Sequence, residues 1–142
     1  MLKPTNTNYL FKFSIVTAVY NVAPYLSEAI DSILSQDIGF LESVELILVD
    51  DGSTDASGAI CDEYQHKYPE NIVVIHKPNG GVASARNAGI AVARGRYVNF
   101  MDSDDKLTPD TLSSVYDFFI EHDKEVDLVS VPIFYFEQKN EP

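Results

Sequence analysis

The chain is short of cysteine, of basic residues and of long apolar runs, and each shortage excludes a class of protein. The single cysteine, Cys61, excludes an internal disulfide, and the scattered histidines show no spacing typical of a zinc site. Ten Lys and Arg residues against 22 Asp and Glu leave a net charge of −12, which argues against nucleic acid as a partner. Without a membrane-length apolar stretch or a signal-peptide pattern, the sequence predicts a cytoplasmic protein, and docking at the inner face of the membrane stays open.

Short apolar runs alternate with segments of helical periodicity along the 142 residues, a length that suits one domain with its own core. Strands are predicted over residues 13–20, 44–49, 72–76, 97–101 and 126–131, and residues 133–136 could begin another. Helices are predicted over residues 25–36, about 54–68, 82–93 and 109–122, with Pro109 in the first turn of the last and Gly95 as a helix cap. This alternation predicts an α/β fold, a mostly parallel sheet with helices on both faces.

Polar residues follow three of the predicted strands. They are Asn21 after the first, Asp50 and Asp51 after the second, and Asp102 to Asp105 after the fourth. In parallel α/β sheets the ligand site lies beyond the carboxyl ends of the strands. The sequence therefore predicts a functional edge of the sheet at these strand ends.

The acidic cluster Asp102–Asp105 has two interpretations. Closely packed carboxylates repel one another, and a hard divalent cation such as Mg²⁺ or Mn²⁺ is the usual way to neutralise them. Alternatively, the cluster is an acidic turn in which Asp105 or Thr108 caps the next helix. The cluster alone leaves both interpretations open.

Four motifs in a fixed order carry a family resemblance: SIVTAVYN (14–21), VDDGSTD (49–55), NGGVASARNAG (79–89) and FMDSDD (100–105). Together they resemble the nucleotide-binding half of the inverting family 2 glycosyltransferases, which have the Rossmann-like GT-A fold. The resemblance extends from about Phe13 to Val131. It implies a donor-binding domain over residues 13–136, with a polar lead-in at 1–12 and a tail at 137–142.

The resemblance implies roles in binding the nucleotide base. Tyr20 matches the position near the base, where Ala18 would contribute backbone contacts. A tyrosine buried in the core would give the same sequence pattern. Asp51 matches the residue that accepts the N–H of uracil, which favours a UDP-sugar over a cytidine nucleotide. Asp50 would support the turn, and Thr54 and Asp55 would cap the next helix.

The resemblance also implies a metal and diphosphate site. Asp102 and Ser103 would belong to the nucleotide site, Asp104 would bind Mn²⁺ or Mg²⁺ directly, and Asp102 or Asp105 could share that role. Arg86 would pair either with the diphosphate or with one of these carboxylates. Lys77 is a further candidate for phosphate.

The implied activity is metal-dependent, inverting transfer of a sugar from a UDP-sugar to a hydroxyl of a carbohydrate, glycolipid or glycopolymer acceptor, in cell-surface polysaccharide or teichoic-acid-type synthesis. The family's catalytic base lies beyond the fifth strand, so we expect it beyond Pro142 and expect this chain alone to lack turnover. Binding of the nucleotide-sugar without transfer is therefore one alternative. A nucleotidyltransferase is less favoured, because no Gly-rich basic loop follows the first strand. A dinucleotide-binding domain would need G-x-G-x-x-G there.

Overall fold

The computed structural model describes residues 9–129. The strands are β1 (Phe11–Val19), β2 (Val44–Asp50), β3 (Ile72–His76) and β4 (Gly95–Phe100). The helices are α1 (Ala23–Leu34), α2 (Phe40–Ser43), α3 (Ser57–Lys67), α4 (Val82–Val92) and α5 (Thr111–Glu121). Strands and helices alternate as the sequence predicts.

The four strands form one parallel sheet in the order β3-β2-β1-β4. The chain winds outward from β1 through β2 to β3, and then crosses back to place β4 on the other side of β1. The winding direction therefore reverses between β1 and β4. In open α/β sheets a ligand crevice forms at the carboxyl ends of the strands beside such a reversal.

Helices cover both faces of the sheet, because the central strands alternate their apolar side chains between two cores. Phe13 and Ile15 of β1 belong to the larger core, together with residues of α1, α3 and α5. Val16 of β1 belongs to the smaller core, where it meets Ala85 of α4. Every residue of β2 is buried, as expected of a strand covered on both faces. The predicted α/β class and its two helical layers are confirmed.

Several predicted boundaries differ from the structure. Strand β1 begins at Phe11, within the predicted lead-in, and ends before Tyr20. Pro109 precedes α5 instead of lying in its first turn, and its carbonyl accepts the Asp37 amide. Gly95 opens β4 and caps no helix; a Cβ there would lie 2.4 Å from the Ser14 nitrogen, so only glycine fits so close to β1. The four-residue α2 was not predicted, because it is too short to show a helical period.

The predicted fifth strand is not formed over the part of it that the structure describes. Residues 126–129 are outside any strand, and the rest of the predicted range, with the further strand proposed at 133–136, lies outside the described residues. Among residues 9–129, no helix is long and apolar enough to cross a membrane.

A buried carboxylate links two parts of the sheet near the amino ends of the strands, away from the edge where the polar residues collect. Glu45 of β2 is fully buried and accepts hydrogen bonds from the Ser14 hydroxyl (2.8 Å), the Arg94 amide (2.8 Å) and the Arg94 Nε (2.6 Å). Ser14 in turn accepts the Gly95 amide at 2.7 Å. One side chain of β2 therefore joins β1 to the segment that links α4 with β4.

Candidate functional site

The carboxyl ends of β1, β2 and β3 lie level with one another. The strand register pairs Val19 with Asp50 and Asp50 with His76. The Asp51 amide extends the sheet by one more bond, to the Val19 carbonyl at 2.8 Å. The polar residues that follow these strands are therefore brought to one edge, as the sequence predicts.

Asn21 joins the turn after β1 to the turn after β2. Its backbone adopts a left-handed conformation (φ 49°), which asparagine tolerates better than most residues. Its side-chain oxygen accepts the backbone amides of Thr54 at 2.8 Å and Asp55 at 3.3 Å. Its backbone amide donates to the Ser53 hydroxyl at 3.1 Å. Asn21 therefore holds the two turns together at the edge of the candidate site.

The Asp55 side chain, but not that of Thr54, binds backbone amides at the starts of two helices. The Asp55 carboxylate accepts the Ser57 amide at 2.9 Å, at the start of α3, and the Ala23 amide at 3.1 Å, at the start of α1. The N-cap residue of α3 is Ala56, so Asp55 is not the predicted cap itself, but its side chain has a structural role at the starts of two helices. The Thr54 hydroxyl instead donates to the Asn21 side chain at 3.3 Å, so the predicted cap at Thr54 is wrong.

Asp50 supports its turn, as predicted, and is held by a histidine that the sequence did not single out. Its carboxylate accepts the Ser53 amide at 3.0 Å and binds His76 Nδ1 at 2.8 Å, while His76 Nε2 meets Asp62 at 2.8 Å. Hydrogen bonds to Asp50 and then to Asp62 raise the pKa of His76. Burial alone would raise the pKa of Asp50, but the bonds from Ser53 and His76 outweigh it and lower that pKa.

This arrangement predicts a pH dependence of stability. A raised histidine pKa in the folded state stabilises the fold fully below the unfolded value, about 6.5, and the contribution is lost as pH rises through the folded pKa. We expect His76→Gln to lower the free energy of unfolding at pH 5.5 by an amount that shrinks towards pH 8.5. The effect should stay below about 1 kcal/mol, because the ring is half exposed and screened.

Urea denaturation of both proteins from pH 5.5 to 8.5 measures this difference, in a range above the titration of Asp50. The matched control is His66→Gln, which changes an exposed histidine of α3. A difference between wild type and His76→Gln that stays constant with pH would contradict the charged histidine bridge.

Asp51 is buried and binds the turn that precedes α4. Its Oδ1 accepts Lys77 Nζ at 2.8 Å and the Gly80 amide at 2.9 Å, and its Oδ2 accepts the Gly81 amide at 2.9 Å. The bond from Lys77, followed by that from Gly80, lowers the pKa of Asp51, so the carboxylate is ionised at neutral pH. The structure thus places Lys77 against Asp51.

Tyr20 stands at the end of β1, directly after the residue whose carbonyl binds Asp51. It is 48% exposed, so it is not the core tyrosine that the alternative interpretation required. Ala18 packs beside the smaller core and pairs with Val49 in the sheet. An exposed tyrosine and a buried carboxylate therefore lie at adjacent strand ends, next to the winding reversal.

The acidic cluster follows β4 across that reversal. Asp102, Asp104 and Asp105 are exposed, and each offers an oxygen atom such that these atoms all lie within 4.8 Å of one another. Burial, and after it the charges of Asp104 and Asp102, raise the pKa of Asp105. Because an all-carboxylate donor set with mutual repulsion suits a hard, oxygen-preferring cation, these residues fit Mg²⁺ or Mn²⁺.

Arg86 of α4 reaches the acidic cluster. Its Nη2 lies 3.2 Å from Asp102 Oδ1, and its guanidinium lies 5.6 Å from the centre of the Phe100 ring. The predicted pairing of Arg86 with a carboxylate of the acidic cluster is therefore present, and its contact with a diphosphate stays a prediction. Ser103, which lies between Asp102 and Asp104 in the sequence, is buried.

Two residues that sequence reasoning missed, Ser32 of α1 and Gln36 just after it, bind the segment that follows the acidic cluster. Gln36 donates to the Thr108 carbonyl at 2.7 Å and accepts the Leu112 amide at 3.0 Å, and Ser32 accepts the Leu107 amide at 3.1 Å. A buried glutamine at the end of an apolar helix stripe was the available signal, because a buried amide needs partners.

The fold and its strand-end edge define the class of the domain: it has the GT-A fold of glycosyltransferases. The crystal structure of S. aureus TarS 1-349 in complex with UDP matches 87% of this chain with a TM-score of 0.73 and 32% identity, and the match covers 38% of that chain. A family model described as glycosyl transferase family 2 matches residues 14–142. The chain belongs to glycosyl transferase family 2.

Curated relatives are similar over most of this chain. The minor teichoic acid biosynthesis protein GgaB of Bacillus subtilis is 51% identical over 130 residues, which are 92% of this chain and 14% of GgaB. The minor teichoic acid biosynthesis protein GgaA of Bacillus subtilis is 42% identical over 129 residues, which are 89% of this chain and 29% of GgaA. The chain therefore spans less than a third of the length of either relative.

Proposed function

We propose that this domain binds the UDP-sugar donor of a metal-dependent, inverting glycosyltransferase. The observation that carries the proposal is the carboxylate group of Asp102, Asp104 and Asp105, whose oxygens converge within 4.8 Å beside the winding reversal of the sheet. Base-binding candidates lie across the reversal at the end of β1, so the edge offers separate places for a base and for a diphosphate.

The residues divide the donor between them. Tyr20, with the backbone of Ala18, would face the base, and Asp51 would accept the N–H of uracil. Asp104, with Asp102 and Asp105, would hold Mn²⁺ or Mg²⁺, whose bound form supplies charge neutralisation to the departing diphosphate. Arg86 lies within reach of the same charge, because it already contacts Asp102. Ser103 belongs to the same loop and is buried.

Relatives support the donor and metal assignments. A second structure of S. aureus TarS 1-349 holds UDP-GlcNAc and shares 34% identity with this chain. The mannosyltransferase PcManGT of Pyrobaculum calidifontis, crystallised with GDP-Man and Mn²⁺, shares 25% identity with a TM-score of 0.69. We favour uridine because the TarS complexes match more of this chain than PcManGT, which covers 79% of it.

The acceptor that we propose is a hydroxyl of a cell-surface glycopolymer, in a teichoic-acid-type pathway. The names of GgaB and GgaA, both minor teichoic acid biosynthesis proteins, support this assignment. Inversion requires a base that deprotonates the acceptor hydroxyl, and we assign that role to none of residues 9–129. Donor binding without transfer by this chain is the second candidate function.

The test is a thermal-shift and calorimetric titration of the 142-residue chain with UDP, with Mn²⁺ and with EDTA. UDP with Mn²⁺ should stabilise the fold, by about 2.7 kcal/mol at a hundredfold excess over Kd, and EDTA should remove most of that gain. Asp104→Ala should remove it as well. Asp117→Ala, which changes an exposed carboxylate of α5, is the matched control and should respond as wild type does.

A folded wild-type chain that UDP does not stabilise, with or without Mn²⁺, would contradict the proposed donor site. UDP binding that EDTA and Asp104→Ala leave unchanged would contradict only the metal assignment. Addition of UDP-GlcNAc and analysis of the products for free UDP would separate binding from turnover.

A further inference from the structure

We propose that Lys77 determines base specificity together with Asp51: the two form a charge pair that selects a base with an N–H beside a carbonyl, as uracil has. This inference rests on the proposed donor site and adds a residue to it. It also moves Lys77 from the phosphate end of the site, where the sequence placed it, to the base end.

The first step is the position of the Lys77 ammonium group. Its Nζ lies 2.8 Å from Asp51 Oδ1 and 2.8 Å from the Pro78 carbonyl. A Cβ on Gly80 would lie 2.9 Å from this Nζ, so the glycine lets the ammonium group lie flat against the turn. The side chain is 19% exposed, and it is therefore held at the edge instead of extending into solvent.

The second step is an account of donors and acceptors. A lysine ammonium group has three N–H donors and a carboxylate oxygen has two lone pairs. Two Lys77 donors are used by Asp51 and Pro78. Asp51 Oδ1 accepts two bonds, whereas Oδ2 accepts the Gly81 amide. Within the described residues, the pair thus keeps one N–H donor and one acceptor lone pair for a ligand.

The third step places this pair beside the base-binding candidate. The Asp51 amide donates to the carbonyl of Val19, the last residue of β1, and Tyr20 directly follows it. The remaining donor and acceptor therefore lie at the strand end adjacent to the exposed tyrosine. The acidic cluster follows β4, which lies on the other side of β1.

The fourth step is the chemistry of the base. Uracil presents N3–H between two carbonyl oxygens, so a carboxylate at N3 and an ammonium group at a neighbouring oxygen are both satisfied. Cytosine presents an unprotonated ring nitrogen at that position, and the carboxylate would face a lone pair. Because Lys77 and two backbone amides fix the Asp51 carboxylate, it cannot rotate away to relieve that repulsion.

The experiment measures the Kd of UDP, CDP and N3-methyl-UDP, each with Mn²⁺, for the 142-residue chain and for Lys77→Met. Wild type should bind UDP at least about tenfold more tightly than CDP or N3-methyl-UDP. Lys77→Met should lose about tenfold in affinity for UDP and much less for CDP, so that the preference for UDP shrinks, and the part that remains is due to Asp51. Lys67→Met, which removes an exposed lysine of α3, should keep the wild-type preference.

A purely structural role of Lys77 gives a different result, because loss of the turn would weaken UDP and CDP equally and leave their ratio unchanged. That outcome overturns the inference. If Lys77→Met does not fold, the wild-type comparison decides: N3-methyl-UDP or CDP bound as tightly as UDP overturns it. Failure of the wild type to bind UDP at all overturns the proposed donor site itself, so the two failures are distinguishable.

Discussion

Replacing Glu45 with alanine is expected to lower the free energy of unfolding by about 3 kcal/mol or more, although Glu45 lies at the edge opposite the candidate site. The substitution removes the shared acceptor of three hydrogen bonds and leaves the partly buried Arg94 amide without that partner. It also empties the space of a side chain that is fully buried. Urea denaturation followed by circular dichroism measures the loss.

Two further variants show which part of the loss comes from charge. Glu45→Gln keeps an acceptor for Ser14 but removes the ionic partner of Arg94, so its loss should be smaller than that of Glu45→Ala. Glu63→Ala, which breaks an exposed helical pair with Lys67, should cost less than about 1 kcal/mol. A loss for Glu45→Ala no larger than that of Glu63→Ala would contradict the role of the buried carboxylate. The UDP affinity of the folded fraction should be unchanged.

Gly89→Ala is expected to destabilise the domain by about 2 kcal/mol, although glycine-to-alanine changes within helices ordinarily stabilise by about 1 kcal/mol. A Cβ on Gly89 would lie 2.3 Å from Val16 Cγ1, which no relaxed contact permits. Val16 is a buried, β-branched residue of β1 and has little rotamer freedom with which to move aside. Helix α4 would therefore have to move away from the sheet.

A double-mutant cycle tests this explanation. Val16→Ala removes the clashing methyl groups, so Gly89→Ala should cost much less in a Val16→Ala background than in wild type. Equal costs in the two backgrounds would show that the destabilisation has another origin. Because α4 also carries Arg86, the UDP affinity of Gly89→Ala reports whether this displacement reaches the candidate site.

Much of the fold could be predicted because apolar patterns are local. The run at residues 44–49 was long and apolar enough to identify a buried strand, and β3 matches its predicted bounds. The same run contains Glu45, yet its ionic partner lies 49 residues away, and a distant partner leaves no periodic signal. Gly95 was misassigned for the same reason, since the backbone of β1 that requires a glycine there is remote in sequence.

In the candidate site, too, local patterns could be predicted and contacts between residues distant in sequence could not. The motifs identified Asp51 and the acidic cluster as candidate site residues, and both directly follow apolar strands. It did not show that Lys77 and two glycine amides hold Asp51, or that His76 links Asp50 to Asp62, since these contacts join separate strands and helices. Thr54 was misassigned because its hydroxyl binds the distant Asn21, while its neighbour Asp55 accepts the amide at the start of α3.

The turn after β1 has a consequence for any ligand that settles against it. Three consecutive amides, those of Asn21, Val22 and Ala23, donate to the side chains of Ser53, Ser57 and Asp55 respectively, across the gap between the first two strands. The backbone next to Tyr20 has therefore already given up its conformational freedom during folding. A nucleotide base that stacks there would lose its own entropy but would order little of the protein, and weak individual contacts would then suffice for measurable affinity.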